Sequence, residues 1–209
     1  MSYIGTNKVG KMYLGDTAIG KAYLGDDLVY DSAGGSVTPV LPDGYAQLDY
    51  VQGITRVIST NISPVNSQWE FDVVCDSSTT SNEVIICTGF GYGGQFAAAC
   101  GNGKWGLGTG AGYYTSVNVT TRSTIFITYT SNGITMTIGN ETVSRTGTNG
   151  HTDNPFLFGA KESGLFSSGK IYSVKCTSGG SFNGVPAQRI SDNKKGLYDT
   201  ANDVFYSLT

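Results

Sequence analysis

Beyond residue 44 the chain holds no sustained helical period; its apolar residues come in short runs, and Gly, Asn or Ser stops nearly every one. "QWEFDVVCD", "STIFITYT", "GITMTIG", "GKIYSVKCT" and "DVFYSLT" are typical. In "STIFITYT" the two-residue period of a strand puts Ile125, Ile127 and Tyr129 on one face and Phe126 on the other, so both sides are expected to be covered. "SNGI" at 131–134 carries the Asn-Gly signal of a tight hairpin. Many short strands joined by tight turns predict an all-β chain, a two-sheet antiparallel jelly-roll sandwich. The 30 glycines and 13 tyrosines fit that prediction.

The first thirty residues follow a different rule. Tyr3, Tyr13 and Tyr23 recur at ten-residue intervals, as do Gly5, Gly15 and Gly25, and Val9, Ile19 and Val29. With "VGKMYL" and "IGKAYL" as strands and "GDTA" and "GDDL" as turns, a three-strand meander is expected. So small a meander cannot bury enough apolar surface to stand alone. Tyr3, Ile4, Val9, Tyr13, Leu14, Ile19, Tyr23, Leu24 and Val29 must then pack on copies of the chain or on another protein. Residues 1–32 are therefore expected to anchor or oligomerise. Gly, Ser and Pro enrich the stretch that follows, which reads as a linker over 33–42. A single core-bearing domain is expected over 43–209.

A net charge of -3 and 14% charged residues provide no electrostatic attraction for nucleic acid. No apolar run approaches the roughly 18 residues of a membrane span, so no membrane insertion is expected. The start lacks the charged, apolar, small-residue order of a signal peptide, which predicts synthesis and folding in a cytoplasm or exit by another route. Cys75, Cys87, Cys100 and Cys176 have no paired spacing for zinc or redox chemistry and are read as small buried side chains.

Catalytic patterns are thin. "GFGYGG" at 89–94 matches a dinucleotide fingerprint literally, but neither a helix nor the required acid follows it. His151 is the one histidine and sits in a loop. Glu70 and Asp72 share a strand face, the kind of paired carboxylates that cleave glycans, yet solvated strand positions explain them equally. Asp76, Asn82 and Glu83, and separately Asp153 and Asn154, offer oxygens for calcium but are also ordinary turn residues. Neither cofactor, metal nor enzymatic activity is expected. Aromatic rings within Gly-rich loops suit sugar stacking, and Trp105, Tyr113, Tyr114 and Asn102 are the candidate glycan contacts. The same pattern suits Trp105 as a core residue.

Several segments resemble a known family. "LPDGYAQLDYVQGITRVISTNISP" with "WEFDVV", then "NPFLFGAKESGLFSSGKIYSVK", then "VPAQRISDNKKGLYDTANDVFYS" are similar to the concanavalin A-like, laminin-G-like jelly rolls of bacteriophage virion proteins. Pro186, Ala187, Arg189, Gly196, Leu197, Tyr198, Asp199, Phe205 and Tyr206 hold the family's C-terminal places. Ser59 stands where the family's strand has an acid, so no ligand of that acid is carried over. The "YLGD" repeat is similar to N-terminal elements preceding such domains in phages of gut bacteria. The resemblance implies a virion protein, a head fibre, decoration or tail-fibre component made in a host bacterial cytoplasm. Its partners would be other virion proteins through residues 1–32, further copies of itself as a trimer, and a host surface glycan. The alternatives in other classes are a glycan-cleaving jelly-roll enzyme and a bacterial surface lectin.

Overall fold

The computed structural model describes residues 2–4, 7–9, 13–14, 17–18, 21–24, 27–31, 41–75, 83–88, 96–99, 103–108, 113–131, 133–146, 154–159 and 166–209. For residues 2–31 and for 96, 98 and 99 the backbone alone is described. The chain divides into two compact units, Met1–Val40 and Leu41–Thr209.

In the first unit each ten-residue repeat is a hairpin of its own. Strand β1 (Ser2–Ile4) pairs with β2 (Asn7–Val9), β3 (Tyr13–Leu14) with β4 (Thr17–Ala18), and β5 (Lys21–Leu24) with β6 (Asp27–Asp31). This corrects the three-strand meander. Leu14 pairs with Thr17 and Leu24 with Asp27, so one repeat contains two strands rather than one. The three ladders form three separate two-stranded sheets among the described residues.

The second unit is the expected all-β sandwich. Its strands are β7 (Tyr45–Gln47), β8 (Val51–Gln52), β9 (Ile58–Ser59), β10 (Gln68–Cys75), β11 (Glu83–Cys87), β12 (Phe96–Ala99), β13 (Lys104–Leu107) and β14 (Tyr114–Asn118). They continue with β15 (Ser123–Thr130), β16 (Gly133–Ile138), β17 (Glu141–Thr146), β18 (Phe156–Leu157), β19 (Gly169–Ser178), β20 (Phe182–Arg189), β21 (Lys195–Asp199) and β22 (Val204–Ser207). One sheet runs β17-β16-β15-β10-β19-β20-β21-β22, with β7 on β20 and β8 on β19; the other runs β14-β13-β12-β11-β18-β9. Every pairing in both sheets is antiparallel. The chain leaves the larger sheet after β10, returns at β15, leaves again for β18 and returns at β19. The strands of these two returns, β15 and β19, therefore flank β10 on opposite sides, which is a jelly-roll path.

Alternation decides what is buried. On β10, Trp69, Phe71, Val73 and Cys75 point inward; on β15, Ile125, Ile127 and Tyr129 do so. They meet Ile85, Leu107 and Leu157 of the smaller sheet, with Phe158 and Phe166 between. Each such side chain contributes roughly 1.5–3 kcal/mol by leaving water. Cys75, Cys87 and Cys176 are buried within this sandwich, and Cys100 lies outside the described residues.

Three readings change at the level of elements. Phe126 is 46% exposed, so the outer side of β15 is open rather than covered. "YAQLDYVQ" breaks into β7 and β8 because its two halves pair with different strands, β20 and β19. In "SNGI" the hairpin forms, but Thr130 pairs with Gly133, which makes Gly133 the first residue of β16 rather than a turn position. A Cβ there would come within 2.9 Å of the Arg145 carbonyl oxygen, so the glycine permits close approach of β17.

Candidate functional site

Trp105 is fully buried, corrected here from a glycan contact to a core residue. On β13 it alternates inward with Leu107 and packs beside Phe166 at 6.4 Å between ring centroids. A ring inside the sandwich has no face to offer a sugar. Tyr113 and Tyr114 are half-buried at the start of β14, while Asn102 lies outside the described residues.

The surroundings of the two tyrosines are already tied up within the protein. The Arg145 guanidinium lies 5.8 Å from the Tyr113 ring centroid. Its Nη1 covers Gly108 so closely that a Cβ there would sit 2.0 Å away. Lys104 Nζ donates to the Ser116 carbonyl and to Asn118 Oδ1, both at 2.6 Å. Glu141 accepts from the Ser116 hydroxyl and, at 2.7 Å, from its backbone N–H. The Ser116 hydroxyl and then its N–H hold the Glu141 carboxyl below the usual carboxylate range. These polar side chains are paired with one another at the surface.

The paired carboxylates are equally engaged. Arg122 donates to both oxygens of Asp72, at 2.8 and 2.6 Å, and lies 3.6 Å over the Tyr172 ring. That leaves Glu70 without a second uncommitted acid on its strand face. Glu83 is buried and accepts from the Ser168 N–H at 3.0 Å, an arrangement that fixes a loop. His151, Asp76, Asn82 and Asp153 lie outside the described residues, as does "GFGYGG". Among the described residues, no three His, Cys, Asp or Glu side chains converge as a metal site. No helix among them is long and apolar enough to cross a membrane.

A cleft of about 460 Å³ forms elsewhere, where the loops 60–63 and 179–182 meet residues 202–206. Ile62, Phe182, Val204 and Tyr206 provide its apolar walls, and Asn61, Ser63, Ser181 and Asn202 its polar ones. No charged side chain is among the described residues that line it. The Phe182 and Tyr206 rings lie 5.8 Å apart between centroids, tilted by 35°. Beneath lies Asp199, fully buried. It accepts from the Asn183 N–H at 2.8 Å, the Ala201 N–H at 3.1 Å and Asn202 Nδ2 at 2.6 Å. Asn202 Nδ2 also donates to the Ser181 carbonyl at 2.7 Å. Both amide hydrogens are thereby used, which fixes the amide's orientation and leaves Oδ1 as the available acceptor. Burial first, and the Asp199 charge second, push the Tyr206 hydroxyl up, so it stays a neutral donor.

Sequence reasoning missed this cleft. Its signal was the Asp199-x-x-Asn202 spacing in "DTAND", which resembles any polar turn. A smaller cleft of about 250 Å³ between Leu48–Tyr50, Gln52 and Lys195 has a carboxylate and an ammonium on its walls.

No protein-family model matches the chain, and no curated protein matches its sequence. Among solved structures, a galectin of Caenorhabditis elegans superposes with a TM-score of 0.44 at 9% identity, over 67% of this chain and 100% of that one. A mouse laminin α1 fragment gives 0.41 at 15% identity, over 68% of this chain and 44% of that one. A Trypanosoma rangeli sialidase mutant with trans-sialidase activity gives 0.38 at 15% identity, over 53% of this chain and 20% of that one. The chain thus spans about a fifth of the sialidase's length and under half of the laminin fragment's. The fold rests on the strand order given above.

Proposed function

We propose that the chain is a bacteriophage virion structural protein, a fibre or decoration component. Residues 1–32 attach it to other virion proteins and to further copies of itself, and the jelly roll meets a glycan of the host surface. The observation that carries this reading is the pairing within the first unit, three ladders that each contain two strands. An isolated two-stranded hairpin is marginal in water, so such a unit needs a partner surface. The repeat's Tyr, Ile, Leu and Val supply the apolar groups for one.

The ordered segments over 41–209 that resemble phage jelly rolls support the same reading. A non-enzymatic role accords with the engagement of Asp72 by Arg122, which leaves no acid pair on β10. Analytical sedimentation of the full chain and of residues 41–209 tests the anchoring role. The full chain should form an oligomer, a trimer in this reading, that the shortened chain loses. Antibody labelling should find the jelly roll on purified phage particles. Equal sedimentation of both chains, or reducing ends released from host polysaccharide and abolished in Glu70→Gln, would refute the reading.

A further inference from the structure

We infer that the cleft between Asn61, Gly180 and Asn202 binds a single uncharged sugar unit. This deepens the glycan-contact part of the proposed function and does not depend on how the chain is anchored. A pyranose presents one face of C–H groups and a rim of hydroxyls, each able to donate and accept. The cleft matches both halves. The half-buried Tyr206 and Ile62, backed by the buried Phe182, form a wall for the C–H face. Asn202 Oδ1 is held as an acceptor because its amide nitrogen is shared between Asp199 and Ser181. The Asn61 side chain, also on the wall, makes no hydrogen bond among the described residues. The volume of about 460 Å³ lies within the usual range for small-molecule sites.

The same walls set the class of ligand. An anionic sugar, a uronate or a sialic acid, would find no cation among the described residues of the cleft. It would also approach the buried Asp199 carboxylate beneath Asn202. A neutral hexose or N-acetylhexosamine incurs neither cost. Gly180 keeps the cleft open, since a Cβ there would lie 2.6 Å from the Ile62 side chain and drive it aside.

The test is titration of the ¹⁵N-labelled full chain with the methyl glycosides of glucose, galactose, mannose and N-acetylglucosamine, and with glucuronate and sialic acid. At least one neutral glycoside should shift the amides of Gly180, Ser181 and Asn202 with a Kd on the order of millimolar, usual for a single shallow sugar contact. The charged sugars should bind at least tenfold more weakly. Asn61→Ala should weaken the neutral sugar by roughly tenfold, the effect of one lost hydrogen bond, and Gly180→Val should abolish binding. Where Gly180→Val fails to fold, Asn61→Ala decides. The inference falls if no neutral glycoside shifts these amides, if the shifts map to Tyr113 and Tyr114, if charged sugars bind as well, or if Asn61→Ala binds unchanged. Those outcomes leave sedimentation of the oligomer untouched, so failure of the cleft and failure of the anchor are separable.

Discussion

At the scale of residues, Asp199 is the most demanding group in the jelly roll. A fully buried carboxylate is tolerated because three donors meet it, two of them backbone N–H groups. Asp199→Ala leaves those donors unpaired and should cost about 3 kcal/mol in urea unfolding, since hydrogen bonds to charged groups are strong and orphaned donors costly. Asp199→Asn should recover part of that loss, because one oxygen still accepts while the new NH₂ opposes that of Asn202. Equal stability of all three proteins would show that the carboxylate is replaceable. Two tyrosines make a separate prediction. Donation to the Asp203 carboxylate pushes Tyr198 up to about 12, and full burial pushes Tyr129 well above the ordinary value. The folded state thus prefers both phenols protonated. Their contribution is complete below pH of about 10, where unfolded tyrosine begins to ionise, and is lost as pH rises toward 12 and beyond. Absorbance at 295 nm should show Tyr129 and Tyr198, and Tyr206 with its smaller upward shift, ionising later than ordinary tyrosines. Full ionisation near pH 10 with the fold intact would contradict this.

At the scale of elements, β22 is held against β21 by the absence of a side chain at Gly196. A Cβ there would lie 2.0 Å from the Tyr206 carbonyl oxygen, a backbone atom that cannot swing away. Gly196→Ala should therefore displace β22, cost about 2 kcal/mol by overpacking, and expose β22 amides to hydrogen exchange while β10 and β15 stay protected. Because Val204 and Tyr206 line the cleft, sugar binding should fall with it. Uniform exchange across the sheet would mean that β22 is not separately detachable. The strand β15 was legible in "STIFITYT" because a single buried face writes period two into the sequence, whereas β22 was legible in "DVFYSLT" only as a run of β-prone residues after a turn. Trp105 was not legible, because glycines flank its short strand and the buried partner, Phe166, lies some sixty residues away. The cleft was illegible for a stronger reason. Residues 60–63, 179–182 and 202–206 meet through tertiary structure alone, and an inward Asp under an outward Asn resembles a turn. The hairpins of the first unit were half legible; the Gly-Asp pairs were visible, but strands of two to five residues, two to a repeat, were too short to separate.

At the scale of the whole molecule, the two units have complementary weaknesses. In the proposed reading the hairpins pair internally and call for a partner, whereas a single neutral cleft would hold a sugar only at the millimolar level. If residues 1–32 join several jelly rolls as proposed, later contacts would become intramolecular ones, which would raise avidity by roughly 10²-fold or more without any new interaction. The expected outcome is therefore a split between two measurements on the same pair of proteins. In solution, the full chain and residues 41–209 should bind a methyl glycoside with the same Kd, because the cleft lies wholly within the second unit. On a surface densely coated with that glycoside, the full chain should be retained about a hundredfold more strongly, through slower dissociation. Asn61→Ala should lower both, but the surface signal more steeply, since every site in the oligomer is weakened at once. Equal retention of the long and short chains would separate the repeat from adhesion and confine it to attachment. A changed solution Kd in the shortened chain would instead place part of the sugar site in the first unit, against the geometry of the cleft.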